Sequence, residues 1–400
     1  MIEYYKTKAE VAYEYGVAES TVRKWINKSK EKKLNLELIS VKNRNYIINN
    51  EHNRSVMRNQ VEQYRHFRTS DLKSEVKVKN ELYNILNKRQ LLSLISTIQI
   101  SKSIPIKYSY LGKGAKYWDN QYASKAYSGR AGNSNIYFLD TLYKYITDHY
   151  QDSKLNIIDV GAGNSEPTIP LVQRLIEEGK LNIYAAIDIS DTMLKISRKH
   201  LLEAGVAESY LSQYKLDYEQ ISMQDILFEV KDSGSDELEI PNFILMLDSS
   251  LGNINTPANV LQNVQSGMFP DDFLCISSAY DNVKTRGIFQ EYESRDNHLR
   301  KLYIPQLLGL SEEEYEKEMI YNDKLNRKEY NLVMKKDVSI YFEKINKTIS
   351  LFIGERLNLW SYQRDTFFSI SQKAEQANLK LRLIARNPKA SSIIYMLGLE

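Results

Sequence analysis

Two glycines and a series of carboxylates, each at the end of an apolar run, carry most of the chemistry in this sequence. The run Leu-Asn-Ile-Ile-Asp-Val (155–160) leads into Gly161-Ala162-Gly163-Asn164-Ser165-Glu166. Glycines there let the backbone turn sharply after Asp159 and come close to a ligand with no Cβ in the way. Asp188 closes the next apolar run and is followed by Ile189. An acid at that place can accept both hydroxyls of a ribose. Asp217-Tyr218 ends a third run, where a carboxylate can take an adenine amino group and a ring can cover the base. Asp248 closes a fourth.

The loop departs from G-x-G-x-x-G, because Glu166 stands where the third glycine would be. A carboxylate beside a helix N-terminus repels a pyrophosphate and suits a ligand with an ammonium and a sulfonium. The expected cofactor is therefore S-adenosylmethionine (SAM), bound by Asp159, Gly161, Ala162, Gly163, Asp188, Ile189, Asp217, Tyr218 and Asp248. Two alternatives stay open: a plain turn in an unrelated α/β protein, and a nucleotide dehydrogenase with an incomplete fingerprint.

Other chemistries find little support. The single cysteine, Cys275, excludes an intrachain disulfide and a multi-thiolate metal site. In Asp-Phe-Leu-Cys-Ile-Ser-Ser (272–278) it reads as a core residue. His52, His66, His149 and His298 have no ligand-spaced partner, and His200, after Arg198-Lys199, reads as part of a solvated face, so no metal is expected. Leu247-Asp248-Ser249-Ser250 is not the Asp/Asn-Pro-Pro-aromatic signature of base amino methylation. Cys275 follows Leu274, not the proline of cytosine-C5 enzymes.

The elements that must position these residues alternate. Strands are expected at 155–160, 182–188, 209–220, 242–248 and 272–280, with helices at 168–179, 191–205 and 256–268. That alternation implies a doubly wound parallel sheet, a Rossmann-like α/β fold. Residues 101–135, rich in Gly, Tyr and Ser, read as an ordered loop or cap before a helix at 136–148. Residues 55–100 read as a connecting helix or helical pair. After 285 the pattern changes to charged helical segments (288–335), then β-rich stretches at 337–353 and 379–398 around a helix at 365–377. The domain reading is 1–60, a helical linker 61–103, a SAM domain with its cap 104–285, and a substrate domain 286–400 with a β-rich C-terminal part.

The chain of 400 residues has a net charge of +3, yet residues 1–60 hold twelve Lys/Arg against seven Asp/Glu. Within them, 6–15 and 19–28 read as helices about a turn at Gly16, followed by a lysine-rich loop and two strand-like runs. That is a winged helix-turn-helix plan, and it resembles the excisionase and MerR-type domains. Ser20, Thr21, Arg23, Lys24 and Lys28 would meet DNA, with Lys30, Lys32 and Lys33 along phosphates and Lys42 and Arg44 on the wing. The alternative is an interaction domain that kept the fold without DNA. A single such unit binds weakly, so DNA binding would favour a homodimer. No run is long and apolar enough to span a membrane and the N-terminus lacks a signal-peptide core, so a cytoplasmic location is the expectation.

Several blocks resemble the histidine-specific N-methyltransferases of ergothioneine biosynthesis: 104–122, opening Ile-Pro-Ile-Lys-Tyr-Ser-Tyr-Leu-Gly; Ala-Tyr-Ser-Gly-Arg (126–130); Ile-Ile-Asp-Val-Gly-Ala-Gly-Asn-Ser-Glu-Pro-Thr (157–168); Ala-Ala-Ile-Asp-Ile-Ser (185–190); Leu-Asp-Tyr-Glu-Gln (216–220); Leu-Met-Leu-Asp-Ser-Ser-Leu-Gly-Asn-Ile (245–254); and 354–367, opening Gly-Glu-Arg-Leu-Asn-Leu-Trp-Ser-Tyr. The resemblance covers about residues 104–400. It implies a SAM domain with a second substrate domain, and an acceptor pocket touching Tyr127, Asn253 and the 355–361 strand with its Ser361. Asn253 could hold a carboxylate or polar acceptor group, or be only a turn residue. Tyr127 and Tyr280 could line the pocket or pack. Glu355 could touch substrate or pair with an arginine. Two departures stand out. Pro167 replaces a lysine after Ser-Glu. Leu359-Trp360 stands where relatives carry the glutamate that recognises imidazole, which disfavours histidine.

The expected activity is methyl transfer from SAM to an amine-type acceptor, a small molecule or a protein, with no catalytic residue assigned. The alternative is a DNA-binding regulator whose SAM fold senses SAM without turnover.

Overall fold

A computed structural model describes residues 5–15, 19–41, 44–48, 50–67, 73–123, 125–151, 153–232, 240–247, 250–281, 295–323, 325–387 and 392–400. The chain divides into two compact units: 1–105 with 304–319 and 330–359, and 106–303 with 320–329 and 360–400.

The chain opens with β1 (Tyr5–Lys6), α1 (Lys8–Tyr15), α2 (Glu19–Lys30), β2 (Leu38–Val41), β3 (Arg44–Ile48) and α3 (Glu51–Phe67). Thr7 caps α1 in a capping box, its Oγ1 accepting from the Glu10 N–H while its own N–H donates to the Glu10 carboxylate. Val11, Val22, Trp25, Ile26, Ile47 and Met57 form a core between these helices and the antiparallel sheet β1-β3-β2. Asn53 is fully buried and ties the hairpin's ends, accepting from the Glu37 N–H and donating to the Glu37 and Ile48 carbonyls.

Next come β4 (Lys73–Lys77), α4 (Asn80–Ile85) and α5 (Lys88–Ser101). The expected all-helical connector thus contains a strand. Its Lys-Ser-Glu-Val-Lys alternates exposed and half-buried positions, the period of a strand. A second correction follows: within the expected loop, residues 113–123 form α6 (Lys113–Ala123) and residues 125–135 the start of α7 (Lys125–Tyr150), which continues through the helix expected at 136–148. Gly129, Gly132 and the Ser and Asn residues near them have low helix propensity, which is why the stretch reads as loop.

The α/β core follows in order: β5 (Leu155–Val160), α8 (Ile169–Glu177), β6 (Leu181–Asp188), α9 (Asp191–Glu203), β7 (Leu211–Lys215), α10 (Gln224–Asp232), β8 (Asn242–Met246), α11 (Pro257–Gln265) and β9 (Phe273–Ala279). Beyond it lie α12 (Arg295–Leu307), β10 (Tyr315–Asn322), β11 (Arg327–Met334), β12 (Asp337–Phe342), β13 (Lys347–Leu351), β14 (Arg356–Gln363), α13 (Phe367–Gln376), β15 (Leu379–Asn387) and β16 (Ser392–Leu399).

Seven strands form one sheet ordered β15-β16-β9-β8-β5-β6-β7. Strands β5 to β9 pair in parallel, and β16 runs antiparallel to both β9 and β15. β5 and β8 are buried throughout, which is why they read as unbroken apolar runs. The chain leaves β5 in one direction for β6 and β7, then returns to its other side for β8 and β9. Such a reversal opens a crevice at the carboxyl ends of β5 and β8.

The expected β-rich C-terminal part divides. β15 and β16 complete the seven-stranded sheet, where Ile394 and Met396 join its core, while β12 pairs with β4 on one side and β13 on the other. The expected helices over 315–334 are strands β10 and β11, in a sheet ordered β10-β11-β14. Their charges look like those of a solvated helix but are paired across the sheet: Arg356 holds Glu318 through two hydrogen bonds of 2.7 and 2.9 Å.

Candidate cofactor and acceptor site

The crevice at the ends of β5 and β8 holds a cleft with about 940 Å³ of empty space, its open mouth included. Asp159, Gly161, Ala162, Gly163, Asp188, Ile189, Asp217, Tyr218 and Asn253 all line it. Asp248 lies outside the described residues.

The turn after β5 needs its glycines. Gly161 and Gly163 have φ of +71° and +56°, the left-handed region that penalises a Cβ. A Cβ on Gly161 would stand 3.1 Å from the Tyr218 hydroxyl, and one on Gly163 would stand 3.3 Å from Trp118 Nε1. The bare backbone therefore forms a floor with an aromatic group over each glycine. The Gly161 and Ala162 N–H groups donate to the Ile187 carbonyl at 2.8 and 3.2 Å, which fixes the turn against the end of β6.

Asp159 and Asp188 are both buried but held differently. One Asp159 carboxylate oxygen accepts from the Tyr184 hydroxyl at 2.6 Å and the Thr168 hydroxyl at 3.1 Å. The Tyr184 hydroxyl oxygen accepts in turn from the Ser165 hydroxyl, 2.8 Å away. These hydroxyls brace the glycine turn from beneath. Asp188 accepts only backbone N–H groups, from Ser190 at 2.9 Å and Gly163 at 3.2 Å. Burial pushes its carboxyl up to about 6, against the opposing pull of those hydrogen bonds. Each of its oxygens keeps a further lone pair for a ligand donor.

Asp217 has a partner the sequence did not disclose. Lys107 Nζ sits 3.0 and 2.9 Å from its two oxygens and 3.6 Å from Glu219. Burial raises the Glu219 carboxyl, with Lys107 pulling the other way. Asp217 thus reaches the cleft as half of an ion pair. Lys107 belongs to the Pro-x-Lys-Tyr block, and only its distance along the chain concealed the pairing.

Glu166 and His200 also differ from expectation. Glu166 is exposed and does not line the cleft. His200 is no solvated residue: its Nδ1 lies 3.3 Å from both the Asn164 carbonyl and the Glu166 carboxylate. It closes the outer side of the loop, where Asn164 donates to Asp119 at 3.0 Å.

On the acceptor side, Asn253 lies in a short turn after β8, its Oδ1 accepting from Trp360 Nε1 at 2.7 Å. Trp360 stacks on Tyr362 with ring centres 5.9 Å apart, and Lys301 Nζ lies 4.6 Å from its ring centre. Among the described residues, Ser361, Tyr280 and Glu355 are not on the cleft wall. Ser361 is buried beside Trp360. Tyr280 packs under the Arg386 guanidinium, 4.4 Å away. Glu355, in the first unit, accepts from the Phe352 N–H at 2.9 Å and pairs with Lys102, not an arginine, at 3.2 Å. Tyr127 falls on α7, its side chain outside the described residues. Cys275 is buried, as expected of a core residue.

In the N-terminal part, Thr21 is buried against the core and cannot present its side chain to a partner. Arg23, Lys24 and Lys28 are exposed on α2. Ser20 lies on the same helix, its side chain outside the described residues. Among the described residues no helix is long and apolar enough to cross a membrane, and no cluster of three or more His, Cys, Asp or Glu could hold a metal ion.

Residues 87–398 match the family described as histidine-specific methyltransferase, SAM-dependent. No curated protein matches the sequence. Among solved structures, magnesium protoporphyrin IX methyltransferase from Synechocystis PCC 6803, with bound S-adenosylhomocysteine, is 11% identical with a TM-score of 0.40, covering 74% of this chain and 98% of that one. A SAM-dependent methyltransferase from Clostridium acetobutylicum is 11% identical at a TM-score of 0.37, covering 65% and 90%. The 1,6-didemethyltoxoflavin N1-methyltransferase from Burkholderia thailandensis is 10% identical at 0.35, covering 72% and 90%. At such identities and scores none of the three says anything about this chain's acceptor.

Proposed function

The chain belongs to the histidine-specific, SAM-dependent methyltransferase family, and on that premise we propose that it methylates an amine-type acceptor other than histidine, on a small molecule or a protein. SAM brings an already activated methyl group, so the protein's work is orientation and electrostatics. Asp188 would accept the ribose hydroxyls, with Ile189 and Tyr218 about the adenine. Gly161 and Gly163 would receive the methionine end.

The acceptor reading is carried by the Asn253–Trp360 hydrogen bond. An indole locks the asparagine that lines the cleft, and buried Leu359 stands next to it in place of the glutamate of the histidine enzymes. Lys301 and Lys328 lie 4.6 and 5.9 Å from the Trp360 ring centre. The test is release of S-adenosylhomocysteine (SAH) from SAM across a panel of amines that includes histidine. Turnover of another amine, with none on histidine, supports the reading; turnover of histidine defeats it.

A second reading is a DNA-binding regulator that senses SAM without turnover. It is favoured by α1 and α2 followed by the β2–β3 hairpin, a winged helix-turn-helix order, with Arg23, Lys24 and Lys28 exposed on α2. Saturable SAM binding with no methyl release on any amine, together with salt-dependent DNA binding by the full chain, would favour it.

A further inference from the structure

The wall of the cleft beside Tyr218 carries more negative charge than its cation can balance. Asp217, Glu219 and Lys107 all line the cleft. Two carboxylates thus share one ammonium, the one cation among the described lining residues. They do not share it equally. Lys107 Nζ donates to both oxygens of Asp217, at 3.0 and 2.9 Å. Its distance to Glu219 is 3.6 Å, a charge contact longer than a hydrogen bond. The Glu219 side chain is also the most open of the three, 22% exposed against 13% for Asp217 and 10% for Lys107. It lines the cleft with acceptor capacity that Lys107 does not use. Burial raises its carboxyl, a cost that an N–H donor from a ligand would relieve.

The backbone fixes this carboxylate near the place of a bound base. The Leu216 N–H donates to the Asp188 carbonyl at 3.0 Å, so the 217–219 segment starts beside the residue that would take the ribose. Asn263 Nδ2, on α11, donates to the Tyr218 carbonyl at 2.9 Å. The Gln220 and Ile221 N–H groups both donate to the Asp217 carbonyl at 3.0 Å. The turn that carries Tyr218 and Glu219 is thereby braced on both sides. A base against Tyr218, with its ribose on Asp188, lies beside this wall. The adenine of SAM has one donor group to offer there, its 6-amino group.

We propose that Glu219, rather than Asp217, reads the 6-amino group of the adenine of SAM. This rests on the placement of the ribose and adenine given above. Asp217 then anchors Lys107, and the Glu219 carboxylate accepts from the amino group. A base with an oxygen at position 6 would set lone pairs against that carboxylate. Glu219 therefore selects adenine over hypoxanthine.

The test is calorimetric titration of the full chain with SAH and its 6-oxo analogue, S-inosylhomocysteine. Wild type should prefer SAH by roughly 10- to 100-fold, the range of a hydrogen bond to a charged group. Glutamine keeps the size of the side chain and removes the charge, and its amide can accept from an amino group or donate to an oxo group. In Glu219→Gln the preference should fall to within about threefold, partly through a gain in affinity for the 6-oxo ligand, which a loss of packing would not produce. Asp217→Asn keeps an oxygen for Lys107 and should retain a preference of about tenfold or more. If Glu219→Gln does not fold, Glu219→Ala decides by the same loss of preference. A wild-type preference in the Glu219 variants, even with both ligands weakened, overturns the proposal. Loss of the preference in Asp217→Asn overturns it too and returns the base to Asp217. Equal binding of the two ligands by wild type overturns it as well. Absence of SAH binding to wild type would overturn the placement of SAM itself.

Discussion

Asp188→Asn separates binding from stability in a way few single changes would. The Asp188 carboxyl is 7% exposed, has no cationic partner among its hydrogen bonds, and is raised from 3.8 to about 6 mainly by burial. The interval between 3.8 and about 6 corresponds to about 3 kcal/mol. The folded protein holds this proton more tightly than the unfolded chain does. Asp188 therefore lowers stability progressively as pH rises from about 4 to about 6, and the cost stays in force at neutral pH. A ribose diol donates to the ionised form, so SAH should bind best above about pH 6 and weaken, at most about tenfold per pH unit, below it. Asparagine removes the buried charge and keeps only one acceptor. The variant should bind SAH more weakly by about 1.5–3 kcal/mol at neutral pH, the worth of hydrogen bonds to a charged group. Its pH step near 6 should vanish, and its melting temperature should stay level or rise. Titration calorimetry across about pH 5 to 8, with thermal melts on the same samples, measures all three. Wild-type SAH affinity that stays flat through pH 6, or a step that survives in the variant, refutes the reasoning.

Other perturbations probe other parts of the chain. Gly161→Ala places a Cβ at φ +71° and 3.1 Å from the Tyr218 hydroxyl. It should cost about 1–2 kcal/mol of stability by thermal melt and weaken SAH binding, and an unchanged Kd contradicts the role given to the turn. Lys107→Met leaves Asp217 and Glu219 facing each other with no cation, in a place where all three side chains are largely buried. Stability should fall by about 3 kcal/mol at neutral pH and partly recover in acid as the carboxylates take up protons; a melt within a degree or so of wild type counts against the pairing. If α2 meets DNA, the combined change of Arg23, Lys24 and Lys28 to Ala should flatten the slope of log K against log salt. The expected change is up to roughly 0.9 for each phosphate no longer neutralised, and an unaltered slope removes these residues from the interface.

The sheet core and the cofactor turn were legible in the sequence because each depends on local pattern. Continuous apolar runs mark buried parallel strands. Gly161, Gly163, Asp188 and Asp217 sit where those runs end, so their shared location follows from topology alone. What stayed hidden depends on long-range contact. Lys107 meets Asp217 across 110 positions of chain, and nothing near either residue announces the other. The start of α7 carries glycines and serines that read as loop although the backbone there is helical. β10 and β11 read as helix because Glu318, Arg327 and Glu329 look like surface charge, although each is paired within its sheet. Thr21 shows the same limit in reverse: a polar residue in a promising motif turned out to be buried.

The most direct test of the central claim is a crystal structure of the full chain with SAH. The account predicts SAH in the cleft at the ends of β5 and β8, its ribose hydroxyls on Asp188, its methionine end at Gly161 and Gly163, and the sulfur facing the side of the cleft that holds Asn253. SAH bound elsewhere, or in this cleft with its ribose away from Asp188, would contradict it.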